Sequence, residues 1–177
     1  MTIGHGAPMD TTETITQFAK MLQNLDRWLE KATAFAEQKK FPPDVLVLSR
    51  LAPDQYELAR QVQSACDAAK YAAAYLSGQQ APAHPDTEKT IAELRARIAT
   101  CVKYLEGVKP SAYAGAVERR VAPAWLQGKW FRAPDYLDQV AIPNFYFHVA
   151  HAYAILRHNG VELGKMDYIG SLPVQDA

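Results

Sequence analysis

Apolar side chains at Ile15, Phe18, Leu22, Leu25, Leu29, Ala32 and Phe35 with Ala36 recur at three- and four-residue steps, which draws one unbroken stripe along a long helix. A strand would alternate faces at every residue, so this spacing excludes one. Asp10-Thr11-Thr12-Glu13 precedes the stripe as a capping-box arrangement, and Phe41-Pro42-Pro43 stops it near Lys39. A helix of that length gains most of its stability by packing its apolar face on partners, so the remaining sequence must supply them.

Three further helices are legible. After a short turn through Val45–Leu48, Pro53 leads into Asp54-Gln55-Tyr56-Glu57, a second capping box, and the stripe Ala59, Val62, Cys66, Ala69, Ala73, Leu76 follows up to Gly78. Its small side chains admit a neighbouring helix closely. The linker Gln79–Pro85 carries two prolines, Asp86 is placed to cap the third helix, and Ile91, Leu94, Ile98, Cys101 with Val102, and Leu105 form its stripe ahead of Gly107. The other face of that helix reads as charged and solvated. The helical period then disappears over Lys109–Ala133, and two short apolar runs around Gln127-Gly128 within Arg119–Phe131 suggest a hairpin or an irregular flap. Pro134 suits the first turn of a fourth helix that runs to about Arg157, with a kink or restart expected near Asn144 because of Pro143, and Asn159-Gly160 closes it.

The expected helices therefore lie near 10–39, 53–77, 86–106 and 134–158, giving an all-α four-helix bundle with a long irregular connection between the third and fourth. Met1–Met9 read as a loose arm and 10–177 as a single domain, with Tyr168 and Ile169 in the tail placed to lie back over the bundle.

Composition narrows the function classes. With 19 Lys+Arg against 19 Asp+Glu, the chain lacks the basic excess of generic nucleic-acid or anionic-membrane binding. No apolar run approaches the roughly 20 residues of a membrane span. Cys66 and Cys101 sit in apolar helical stretches of a chain without a basic-then-apolar leader, so they read as core thiols of a cytoplasmic protein; a disulfide between neighbouring helices depends on distances. A Gly-rich phosphate loop, a G-x-S-x-G elbow, a paired C-x-x-C and an H-E-x-x-H are all missing from the sequence, which withdraws support from nucleotide hydrolysis, hydride transfer and serine-type acyl transfer.

Candidate site residues concentrate on the second and fourth helices. His148 and His151, three apart, share a helix face and can both reach one metal or one substrate; Asp67, Cys66, Glu57 and His84 are the other available ligands. Alternatively His148 is a buried, hydrogen-bonded histidine and His151 an exposed one. Asp67, one position off its stripe, either points inward toward His148 or pairs outward with Lys70 or Arg60. Arg50 either binds an anionic ligand or bonds the open carbonyls of a helix end. Trp125, Trp130, Phe131 and Tyr136 either roof a pocket, cover the core or bury a dimer contact.

Arg50-Leu-Ala-Pro-Asp54, Ala59-Arg-Gln-Val-Gln63 with Cys66-Asp67, and Pro143-Asn-Phe-Tyr-Phe-His148 with Ala152-Tyr-Ala-Ile-Leu-Arg-His-Asn-Gly160-Val and Gly164-Lys165 together resemble an uncharacterised bacterial domain family, a branch of the DinB/YfiT-like metalloenzyme superfamily. The resemblance implies a DinB-like bundle, commonly dimeric, with a metal held by one histidine on helix two and an H-x-x-x-H pair on helix four. Here helix two has no histidine and the residue four after His148 is Ala152, so only His148 matches. Two functions follow. The preferred one is a non-catalytic small-molecule-binding or dimeric scaffold protein in which Asp67 and His148 form a hydrogen-bonded pair and Arg50 joins the ligand-binding residues. The alternative is a zinc- or nickel-dependent enzyme of the thiol transferase or hydrolase type, with Asp67, His148 and His151 as ligands. A homodimer is expected in either case.

Overall fold

A computed structural model describes residues 10–175, so the proposed arm Met1–Met9 lies outside the described residues. Four long helices form the frame: α1 (Thr11–Lys39), α2 (Leu58–Ser77), α3 (Ile91–Gly107) and, after the short α4 (Ala133–Tyr136), α5 (Ile142–His158), with α6 (Lys165–Ile169) following. Around the core the order is α1, α3, α2, α5, and the contact of α2 with α5 is the most extensive. The alanines of α2 make this possible: Ala59, Ala69 and Ala73 of its stripe, with Ala65 and Ala72 beside it, are buried. Phe18 of α1 stacks on Phe145 of α5 with ring centroids 4.1 Å apart at the centre of one continuous apolar cluster.

The helix starts show where local signals compete with tertiary ones. Asp10 caps α1 by accepting from the amide of Thr12 at 2.7 Å, rather than from Glu13 in a reciprocal box. The helix expected to start at Pro53 begins only at Leu58, because the carboxylate of Glu57 is taken by Arg50 and the Leu58 amide donates to the Ser49 carbonyl. The helix expected to start at Asp86 begins at Ile91. Thr90 and Glu93 form its capping box, Asp44 accepts from the Ile91 amide at 2.8 Å, and Asp86 is recruited by Arg60 and Arg97.

Between α3 and α4 the chain makes short 3₁₀ turns and one two-residue antiparallel ladder, β1 (Arg120–Val121) with β2 (Phe131–Arg132). This is the expected flap, with Gln127 (φ 50°) and Gly128 (φ 89°) reversing the chain. Pro143 is accommodated by the turn before it rather than by a restart at Asn144. It has no N–H to give the Gln139 carbonyl, and the preceding turn widens instead: Leu137–Ala141 is a π turn in which the Ile142 amide reaches the Leu137 carbonyl. The helix continues through it from Ala133 to His158.

The segment after α5 folds back as expected. Trp28 donates from Nε1 to the Asp167 carbonyl at 2.9 Å and stacks on Tyr168 at 5.5 Å, while Asn24 donates to the Tyr168 carbonyl. Trp28 thus joins α1, α5 and α6. Trp28→Ala is expected to lower stability by about 3–5 kcal/mol in urea titrations and to open the segment after Leu163 to limited proteolysis at lower urea than the rest of the chain.

Candidate functional site

An open groove of about 1020 Å³ runs between α2 and the α4–α5 segment under the tip of the flap. Arg60, Ser64, Asp67 and Tyr71 border it from α2, and Trp125 from the flap. Gln139, Val140, Pro143 and Asn144 follow Tyr136 at three- and four-residue steps and share the face that borders it. Phe147 and His148 complete the wall. Several aromatics around this opening are left uncovered: Trp125 is 62% and Phe147 50% exposed, while Tyr136 is buried beneath them.

His148 is the buried polar residue of that wall. Its Nδ1 lies 2.8 Å from Gln61 Oε1 on α2. The amide of Gln61 is itself oriented, since its Nε2 donates to the Tyr56 carbonyl at 3.3 Å. The Gln61 oxygen therefore faces the imidazole, and His148 must carry its proton on Nδ1. Nε2 has no hydrogen-bond partner among the described residues. Burial, with the neighbouring His151 and Arg60 adding to it, lowers the His148 pKa to about 4. At neutral pH the ring is an uncharged acceptor at the edge of the groove.

Asp67 borders the same groove without pairing with His148. Its Oδ1 accepts from Lys70 Nζ at 2.7 Å and from Arg97 Nη2 of α3 at 2.9 Å. The expected Asp67–His148 hydrogen bond is thus replaced by ion pairs, because two buried cations need a carboxylate far more than a neutral imidazole does. Arg97 also meets Asp86 and Glu88, and Gln63 donates to Glu88. Burial disfavours the charge on Arg97, but the Glu88 hydrogen bond and the charges of Asp67 and Glu88 outweigh it and raise its pKa.

His151 does not border the groove. Its Nδ1 donates to the Phe147 carbonyl of the preceding turn at 2.7 Å and its ring packs on Phe147, half-buried. Arg50 lies at a separate cleft of about 460 Å³, where it holds the Glu57 carboxylate and the Pro53 carbonyl of the turn before α2. Tyr56 and Arg60 border both cavities. Cys66 and Cys101 are free and fully buried, and the Cys101 thiol donates to the Cys66 carbonyl; hydrogen bonding between the thiols, then burial, holds the Cys66 thiol well above its ordinary pKa.

Residues 11–169 match the family described as Domain of unknown function (DUF1993). The chain belongs to the DUF1993 family. A crystal structure of a DinB family member protein from Shewanella denitrificans is 50% identical, aligns over 92% of this chain and 93% of that one, and superposes with a TM-score of 0.88. No curated protein matches the chain. The DinB-like resemblance and the all-helical architecture thus stand together for this DUF1993 protein.

Two residues with central roles carry weak signals. Gln61 sits beside the α2 stripe, where a glutamine is unremarkable, and only the fold shows that it orients His148. Arg97 falls three after Leu94 and four before Cys101, which is a buried spacing, yet the charged residues around it make it read as part of the solvated face.

The His148 environment has a consequence in acid. Between pH 6.5 and about 4 the unfolded chain takes up a proton that the folded imidazole refuses, so His148 destabilises the fold progressively as pH falls through that window and has no such effect above it. His148→Gln is expected to remove up to about 3 kcal/mol of that acid sensitivity, read as the difference between the pH profiles of the two proteins' unfolding free energies. Parallel profiles from pH 7 to pH 4 would contradict the assignment.

Proposed function

We propose that this DUF1993 protein is a non-catalytic binding protein whose groove between α2 and α5 receives a small molecule. The observation that carries the reading is that His148 leans on a neutral amide, Gln61, and not on a carboxylate. General-base catalysis near neutral pH requires the imidazolium to be accessible, and an adjacent carboxylate is the usual means; here burial, His151 and Arg60 all oppose the charge. The surrounding wall is aromatic and open, as suits recognition of an apolar molecule.

The metal implied by the superfamily does not fit the residues present. Asp67, the α2 residue available as a ligand, gives Oδ1 to Lys70 and Arg97, and His151 faces its own helix. Among the described residues no three His, Cys, Asp or Glu side chains are grouped so as to hold a metal ion. Elemental analysis of protein purified without a histidine tag is expected to give substoichiometric zinc and nickel; stoichiometric metal would restore the thiol transferase or hydrolase alternative.

The binding reading is tested with Ser64→Trp, which places an indole inside the groove from α2. Small fragments that shift the backbone resonances of Trp125 and Phe147 in the native protein are expected to lose that effect in the variant. Fragments that bind the variant unchanged, or that leave those resonances unmoved in the native protein, would contradict it.

The protein is further proposed to be a cytoplasmic homodimer. Uncovered Trp130, together with Val45 and Leu48 on the turn before α2, supplies apolar surface for a second copy. The free thiols Cys66 and Cys101 suit a reducing compartment, and no helix among the described residues is long and apolar enough to cross a membrane. Light scattering at micromolar concentration is expected to give about twice the 19.7 kDa chain mass, and a mass of one chain alone would exclude the dimer.

A further inference from the structure

We infer that the groove selects neutral, planar aromatic molecules carrying an N–H or O–H donor that seats on Nε2 of His148, and that Gln61 is the positioning residue that sets this preference. The inference rests on the reading of the groove as a binding site and adds the chemistry of what it takes.

Polarity comes first. Gln61 holds the Nδ1–H of His148, so the nitrogen left for a ligand is Nε2, which in the uncharged ring accepts and cannot donate. A ligand group that is itself only an acceptor meets a lone pair there and pairs with nothing. A donor completes the imidazole's second hydrogen bond in a partly desolvated position, where an unsatisfied group is costly.

Charge comes second. The two ionised side chains on the groove walls are already paired within the protein, Arg60 with Asp86 and Asp67 with Lys70 and Arg97. Arg60 also lies over the Tyr56 ring at 5.6 Å and Lys70 over the Tyr71 ring at 4.8 Å, so two of the tyrosine faces that would attract a cation already hold one. Arg60 and Asp67 therefore meet a charged ligand with much of their charge already compensated, whereas a neutral molecule calls on neither.

Shape comes third. Phe147 stands edge-on to His148, with centroids 5.3 Å apart and planes at 86°, and the Tyr56 ring lies near-parallel to the imidazole at 6.4 Å. Trp125 overhangs from the flap. These uncovered rings offer stacking and edge contacts to a flat ring more than to a globular aliphatic group.

Indole and 1-methylindole separate the requirement for a donor from the requirement for an aromatic ring, because methylation removes the N–H and keeps the ring. In titrations followed by backbone and histidine side-chain resonances, indole is expected to bind about three- to tenfold more tightly than 1-methylindole and to shift His148 Nε2. Gln61→Glu places a carboxylate on Nδ1, and the His148 pKa, read from the ring resonances without ligand, is expected to rise above 6.5. At pH 6 that variant carries an imidazolium whose Nε2 donates, and its preference for indole is expected to vanish. His148→Gln, whose amide both donates and accepts, should also lose the preference and serves if Gln61→Glu does not fold. Equal binding of the two probes in the groove would overturn this inference and leave the binding reading intact. Groove resonances unmoved by either probe would overturn both. A preference for indole that survives Gln61→Glu despite a raised His148 pKa would remove Gln61 from the account.

Discussion

Arg97 keeps a guanidinium between α2 and α3 with its side chain only 2% exposed, and much of the site follows from satisfying it. A buried cation must be surrounded by acceptors, and Asp67, Asp86 and Glu88 are drawn to it from one helix and from the linker before α3. That recruitment delays the start of α3, because Asp86 is unavailable as its cap. It also turns Asp67 away from the histidine opposite. His148 is left to a glutamine, and a glutamine supports a neutral ring with a defined tautomer where an aspartate would have supported a cation.

A second constraint bears on the wall facing α2, the proline at 143. A helix cannot give the Gln139 carbonyl its usual partner there, and the widened turn over Leu137–Ala141 absorbs the mismatch without breaking the rod. Gln139 and Val140 border the groove together with Pro143 itself. The flap then supplies Trp125 from above. The result is a groove with aromatic walls and a buried histidine at its edge, whose two ionised residues, Arg60 and Asp67, pair with groups outside it.

What could be read from the sequence divides along the range of the forces involved. The α1 stripe, the glycine at 78 and the Gln127-Gly128 reversal rest on local periodicity and turn chemistry, and each is where its residues placed it. The starts of α2 and α3 differ from the local reading because Glu57 and Asp86 are plausible caps that arginines take up instead, Arg50 seven residues away for Glu57 and Arg60 with Arg97 across the helix pair for Asp86. At the site the same division holds. His148 stood out as a polar residue in an apolar run, whereas its partner did not, since nothing in a single chain distinguishes Gln61 from Gln63 until the helices are paired. Of the two readings open for Asp67, the pairing with Lys70 is the one present, and Arg97 joins it from α3, a partner the sequence conceals because Arg97 sits among residues of a solvated face.

The chemistry of the groove turns on the protonation state of one ring, and that state is directly observable. Long-range ¹⁵N–¹H correlation of the histidine side chains in the native protein at pH 7 is predicted to show His148 uncharged, with the proton on Nδ1 and a bare Nε2, and to show no protonation of that ring until the pH falls well below 6.5, toward about 4. A proton on Nε2 at pH 7, or a His148 titration at or above 6.5, would contradict the glutamine-held acceptor on which the groove's chemistry depends.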